Sequence, residues 1–215
     1  MSKIALYPND SGTGTFTIAS PNSNTSRTLT LPDETGTLIT SNNSNYVSDN
    51  LPSGSILQVQ YTQFTGTNTV SQSANTEALF TDLAVSITPT STSSILKVEA
   101  MVCGEHGNVN NIFNTVWYFD RSGTKVSAPQ VGTTRKTGIA IGNTIGYDGS
   151  NASTTPEMVN YTYFDTPSTA SQITYTVAIL STNAQTWYLN RNVSDADDLN
   201  NERGTSFICV TEIKA

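Results

Sequence analysis

The chain has one histidine, His106, set in Gly104-Glu105-His106-Gly107 with a single carboxylate beside it. A zinc site takes three or four ligands, so one imidazole and one carboxylate do not make one. The flanking glycines predict an exposed turn instead. A Ser-His-Asp arrangement would have to use His106, yet no Gly-x-Ser-x-Gly elbow is present, and serine is so common here that any pairing is chance. Gly138-Ile139-Ala140-Ile141-Gly142-Asn143-Thr144-Ile145-Gly146 carries spaced glycines. It lacks the Lys-Ser/Thr ending and the following helix of an anion cradle, and is expected to form a strand with a bulge or turn. Asp195-Ala196-Asp197-Asp198-Leu199-Asn200-Asn201-Glu202 offers oxygen atoms to a Ca²⁺ ion, but it lacks the EF-hand glycine and spacing. A solvated charged loop is its default reading. A glycosidase pair cannot be assigned among 17 acidic residues, since some lie near each other in any fold. The expectation is therefore a nonenzymatic chain with no catalytic residue, no metal and no cofactor.

The aromatic pairs Trp117-Tyr118 and Trp187-Tyr188 carry a different chemistry, because exposed Trp and Tyr stack on sugar rings and anchor protein interfaces. Adjacent residues of a strand point to opposite faces, so one of each pair is expected in the core and at most one at the surface. With Asp195, Asp197 and Asp198 of the acidic loop, these four aromatics are the candidate receptor contacts. Cys103 and Cys209 are the only cysteines. Two distant cysteines fit small apolar residues buried in the last strands better than a disulfide scaffold.

The elements that must position these groups follow from composition. Of 215 residues, 81 are Ser, Thr or Asn, 36% are hydrophobic and only 13% are charged. Ser and Asn compete with helical hydrogen bonding, and Thr packs well on a pleated, half-wet sheet, so the composition predicts an all-β fold. Low charge with 8% aromatics does not match the signature of disorder. Ten basic against 17 acidic groups give a net charge of −7, which argues against phosphate-mediated nucleic-acid binding. The apolar runs fall short of the roughly 18 residues of a membrane helix. Met1 to Asp10 has no apolar core of a signal peptide, so synthesis in a cytoplasm is expected.

Residues 1–50 are expected to form a separate segment. Its period-two runs, Gly14 to Ala19, Arg27 to Pro32 and Gly36 to Thr40, are separated by Ser20-Pro21-Asn22-Ser23-Asn24 and Pro32-Asp33-Glu34-Thr35-Gly36, both turn signals. Three such strands cannot bury enough surface alone, so the segment needs a second copy of itself or another protein. Phe16, Ile18, Leu29, Leu31, Leu38 and Ile39 are the candidates for that oligomerisation and attachment. A linker, Ser41 to Asn50, leads to a domain over 51–215. There, strands are expected at Ile56 to Phe64, Leu83 to Thr88, Ile95 to Cys103, Ile112 to Phe119, Gly138 to Gly142, Val159 to Phe164, Ile173 to Leu180, Trp187 to Asn190 and Phe207 to Ile213. Their spacing predicts an antiparallel, jelly-roll-like β-sandwich. Leu96, Val98, Ala100 and Val102 should face its core, Asp120 to Thr124 should be a hairpin turn, and long polar loops, Thr65 to Ala78 among them, should carry recognition.

Gly12-Thr13-Gly14-Thr15-Phe16-Thr17-Ile18-Ala19-Ser20-Pro21-Asn22-Ser23-Asn24, followed by Arg27-Thr28-Leu29-Thr30-Leu31-Pro32-Asp33-Glu34-Thr35-Gly36-Thr37-Leu38, resembles a segment recurrent in tail-fibre and other appendage proteins of bacteriophages, especially those of aquatic bacteria. Ser86 to Val98, Tyr163-Phe164-Asp165-Thr166-Pro167, Tyr188-Leu189-Asn190-Arg191 and Arg203-Gly204-Thr205-Ser206 resemble a C-terminal module of such proteins. What the resemblance implies is a homotrimeric, β-rich virion component. Its first segment would attach to other virion proteins, of the tail or baseplate, and its head would face outward. With about fifty residues before the head, a short fibre or spike is expected, binding a host-surface glycan. The alternative is a capsid decoration protein cemented to the major capsid protein by the N-terminal segment. A polysaccharide depolymerase is the weaker reading, because such tailspikes present acidic pairs on a much longer β-helix.

Overall fold

The computed structural model describes residues 10–15, 17, 19, 22–26, 28, 51–107, 114–142 and 154–215. The chain divides into two compact units, residues 1–40 and 41–215. In the first, Thr25 donates its backbone N–H to Ser23 Oγ at 3.2 Å, a local side-chain turn of the kind the Pro-Asn-Ser sequence favours. Of the strands expected there, Thr15, Thr17, Ala19 and Thr28 are described and stand outside any strand. A short strand holds its shape only through a ladder with neighbours and an apolar face to bury, and these runs carry little to bury. The attachment candidates Phe16, Ile18, Leu29, Leu31, Leu38 and Ile39 lie outside the described residues.

The second unit is an all-β sandwich of two antiparallel sheets, with eleven strands among the described residues. The first sheet contains β1 (Ile56–Phe64), β2 (Asn68–Gln72), β4 (Ile95–His106), β8 (Glu157–Asp165), β10 (Gln185–Leu189) and β11 (Ser206–Ile213). The second contains β3 (Ala78–Ile87), β5 (Thr115–Arg121), β6 (Thr124–Val126), β7 (Ala140–Ile141) and β9 (Ile173–Ser181). Their orders are β1-β11-β4-β10-β2, with β8 also on β4, and β3-β9-β5-β6, with β7 also on β5.

Strand β4 is the spine of the first sheet. Its alternation behaves as expected: Leu96, Val98, Ala100 and Val102 are buried while Lys97 and Glu99 face out. On one side it pairs with β8 from Leu96↔Asp165 to Gly104↔Glu157. On the other it pairs first with β11 and then, at residues 104–106, with β10. The two-residue loop Ser122-Gly123, both at positive φ, joins β5 to β6. That is the geometry whose twist suits a tight hairpin, and Gly123 adopts it without a Cβ penalty.

The core between the sheets is aromatic at its centre. Trp117 on β5 meets Trp187 on β10 edge-on at 5.0 Å, Phe80 packs on Trp117 at 5.4 Å, and Phe119 lies 4.8 Å from Tyr161. Each large ring removes roughly 150–250 Å² from water, a gross gain of about 4–6 kcal/mol. The Trp pair thereby clamps one sheet to the other.

Buried carboxylates staple the ends. Asp165 accepts from Arg121 Nη1 at 2.6 Å and from the Tyr175 hydroxyl at 2.5 Å, joining β8 to the opposite sheet. Glu212 on β11 accepts from Ser94 Oγ, Thr90 N, Thr90 Oγ1 and Gln58 Nε2 at 2.6–2.7 Å, pinning the turn between β3 and β4. Burial pushes the Glu212 carboxyl up, but the hydrogen bonds from Ser94, Gln58 and Thr90 outweigh it and hold the group below its ordinary 4.5. A carboxyl lowered in the folded state stabilises above the unfolded value and loses that contribution as pH falls through the folded one. Glu212→Gln is therefore expected to cost about 2–3 kcal/mol at pH 7, since donors are left facing an amide. It should also flatten the loss of melting temperature below about pH 4.5, as read by calorimetry across pH.

Candidate functional site

Recognition chemistry gathers where the end of β4 meets β10, β2 and the loop 190–205. Gly104 makes the meeting possible. It holds φ +153°, and a Cβ there would lie 2.1 Å from the Tyr188 carbonyl oxygen and 2.7 Å from Trp187 Nε1. No larger residue allows β10 this close. Beyond it the strand continues through His106 rather than turning, so the expectation of an exposed turn histidine is corrected. His106 is buried, with its ring edge-on to Trp187 at 4.6 Å, and neither ring nitrogen has a hydrogen-bond partner among the described residues. Burial pulls its pKa down to about 4, so the imidazole is neutral at physiological pH.

Two polar nodes fix the loops around this end. Glu105 Oε1 accepts from Thr155 N and Oγ1 at 3.0 and 2.8 Å, and Oε2 accepts from Val193 N at 2.7 Å. Asn190, buried at φ 60°, a backbone region Asn tolerates, donates its amide to the carbonyls of Phe64 and Gly66, each at 2.8 Å. Its backbone N–H reaches the Cys103 carbonyl at 2.8 Å, and its Oδ1 accepts from Ser206 Oγ at 2.6 Å. Nothing in the local sequence around Glu105 or Asn190 marks them, because their partners lie far away in the chain.

Between these nodes the outer face of the sheet carries Tyr188, half-buried, with the Arg191 guanidinium 4.5 Å from its ring centre. Arg191 Nη2 donates to Thr69 Oγ1 at 2.9 Å, so the cation holds the ring against β2. A concavity of about 340 Å³ adjoins the ring, lined by Ser71, Gln72, Gly107, Gln185, Thr186 and Tyr188. Gln72 Oε1 and Gln185 Nε2, on cross-strand partners, are buried without hydrogen bonds among the described residues. Those two amides point between the sheets, toward Ser181 and Thr115, whereas the Tyr188 ring and the Ser71 and Thr186 hydroxyls share the outer face, on which a polyhydroxylated ring can stack and hydrogen-bond.

The other candidates separate. Trp117 and Trp187 are fully buried as the inter-sheet clamp. Tyr118 points to the outer face of the second sheet yet is also buried, covered by Ile139 and Leu180, with its hydroxyl donating to Glu77 at 2.6 Å. These three are withdrawn as receptor contacts. Strand parity places one residue of each pair inward, but on the outward side Lys125 lies 4.3 Å over the Tyr118 ring and Ile139 packs on the same cluster, from the 138–142 segment that runs alongside β5 and hydrogen-bonds the Trp117 and Thr115 carbonyls. In the acidic loop, Asp195 is clamped by Arg203 through two bonds of 3.0 Å. Asp198 accepts from Asn200 N and Asn201 Nδ2, and those two bonds lower its carboxyl pKa. Asp197 is exposed. They border a concavity of about 410 Å³, but two of the three carboxylates serve the loop itself, and among the described residues no three His, Cys, Asp or Glu side chains converge for a metal.

Cys103 and Cys209 are free and half-buried, on the outer face of the first sheet rather than in the core. What the sequence reading misses outright is strand β2, Asn68-Thr69-Val70-Ser71-Gln72, which has one apolar residue in five, lies within the span read as loop, and brings Ser71 to the Tyr188 face. No protein-family model matches the chain, and no curated protein sequence matches it.

Proposed function

We propose that this chain is a nonenzymatic virion component of the phage-appendage type, a short homotrimeric fibre or spike whose sandwich head contacts host-surface carbohydrate through the Tyr188 face. The observation that carries the reading is the concavity beside the Tyr188 ring, with Ser71 and Thr186, cross-strand partners on the same face, lining it with their hydroxyls. Support also comes from the sequence segments that resemble phage appendages. Loops tied down by Glu105 and Asn190 before any ligand arrives lose little entropy on binding. Several heads on one particle turn a weak contact into durable attachment through effective concentration.

Titrating the chain with host-surface polysaccharide fragments in a calorimeter tests the reading. Tyr188→Ala is expected to weaken binding about tenfold, near 1.4 kcal/mol, while the far-UV spectrum stays that of the parent. An affinity indifferent to this substitution would sink the Tyr188 site. If the fragments do not bind at all and the chain maps to the capsid lattice of its particle, capsid decoration becomes the better role.

A further inference from the structure

The outer face of the first sheet is apolar where β8, β4, β11 and β1 lie side by side. The registers Thr162↔Glu99, Cys209↔Glu99 and Tyr61↔Cys209 put one continuous row across all four strands, and Phe164↔Lys97, Thr211↔Lys97 and Val59↔Thr211 put the next row beside it. On this face Tyr61 is 71% exposed, Phe164 60%, Met158 51% and Val59 49%, with Met101 and Phe207 partly exposed between them. Strand spacings of about 4.8 Å and rises of about 3.4 Å per residue give it roughly 20 by 24 Å. Apolar patches of a few hundred Å² on a soluble surface mark interaction sites.

We infer that this face is where the chain packs against a second copy of itself. Charge selects that occupant. The chain carries −7 overall, so two copies repel across most of their surfaces. Among the described residues, the partly exposed charged groups of the four strands on this side are Lys97 and Glu99, one of each sign, paired with each other at 2.8 Å, while Glu105, farther along β4, is buried beneath Thr155 and Val193. A neutral patch holding one cation and one anion is complementary to itself: a facing copy places its Glu99 against Lys97 and its Lys97 against Glu99. The edge adds to the argument. Among the described residues, strand β1, Ile56-Leu57-Gln58-Val59-Gln60-Tyr61-Thr62-Gln63-Phe64, pairs on one side only, and it carries neither charge nor proline, two of the devices that keep natural edges from associating. The flat area of about 480 Å² per partner, before side-chain relief, falls in the range of weak interfaces, which form at high protein concentration. The inference stands apart from the carbohydrate reading, since Tyr188 lies on β10.

Sedimentation velocity of the full chain at about 100 μM is the test. The face pairs copies two by two, so the parent is expected to sediment at twice the mass of the variant carrying Tyr61→Glu with Phe164→Glu, whose chains are 23.0 kDa each. Lys97→Glu alone should dissociate the assembly, and adding Glu99→Lys should restore it. A second readout needs no variant. Cys209 sits in the row beside Tyr61, so its alkylation by a maleimide should slow as protein concentration rises. A monomeric parent at that concentration, or an assembly whose mass ignores both substitution sets, overturns the interface and leaves the Tyr188 test untouched.

Discussion

Gly104→Ala is expected to destabilise the head by more than about 3 kcal/mol, because the new methyl meets a backbone oxygen and an indole nitrogen that cannot both retreat. The added Cβ would stand 2.1 Å from the Tyr188 carbonyl and 2.7 Å from Trp187 Nε1, and the φ of +153° is strained for any L side chain. Relief requires β10 to move off β4, which breaks the Trp187↔His106 to Leu189↔Gly104 pairing and pulls Trp187 away from Trp117. Gly107→Ala is the informative contrast. Its Cβ would meet the Tyr188 ring at 2.9 Å, the movable end of a side chain, so stability should change little while the recognition face shifts. Urea unfolding of the two variants separates them; a Gly104→Ala midpoint matching the parent's would mean that β4 and β10 are not held this closely.

Lowering the pH from about 6.5 to 4 is expected to remove up to about 3 kcal/mol through His106 alone. Burial drops this imidazole to about 4 from an ordinary 6.5, so the folded state resists a proton that the unfolded chain accepts. A histidine lowered on folding contributes its full stability above the unfolded value. That contribution is lost as pH falls toward the folded one, because the unfolded state then binds more protons. The window lies above that of Glu212, whose contribution disappears below about 4.5, so two descents should be resolved in melting temperature against pH. His106→Phe should erase the upper descent only, as it keeps a ring against Trp187 with nothing to titrate. Because His106 is the chain's only histidine, its Cε1 proton can be followed by NMR without ambiguity. A midpoint near 6.5 with no change in stability would mean that the ring is solvated.

Both effects arise at the end of the sandwich that carries Tyr188, so the stability of the fold and the presentation of the candidate site are the same problem there. Glu105 and Asn190 make the link physical. They join the last residues of β4 to the 154–156 and 190–193 segments, and loosening β4 from β10 removes the support beneath both nodes.

What the sequence determined by itself is the all-β character, the bounds of β1, the inward set Leu96, Val98, Ala100 and Val102, and the turn at Ser122-Gly123. Each of these is encoded by residues one or two positions apart, through side-chain alternation or through the positive φ that a tight hairpin requires. Of the candidate site, Tyr188 was legible as half of an aromatic pair, but not that it, rather than Trp117, Tyr118 or Trp187, would be the half-exposed member. Only the tertiary structure decided that Tyr118 is covered by Lys125 and Ile139, that His106 is buried on Trp187, and that Ser71, on a strand with one apolar residue, lines a concavity with Thr186. The apolar members of the first sheet's outer face could each be read from alternation, yet the register that joins Phe164, Lys97, Glu99 and Tyr61 into one neutral patch could not. The reason is that alternation sets which way a side chain points, whereas burial and adjacency depend on which strand, often a hundred residues away, is hydrogen-bonded alongside or packed across the core.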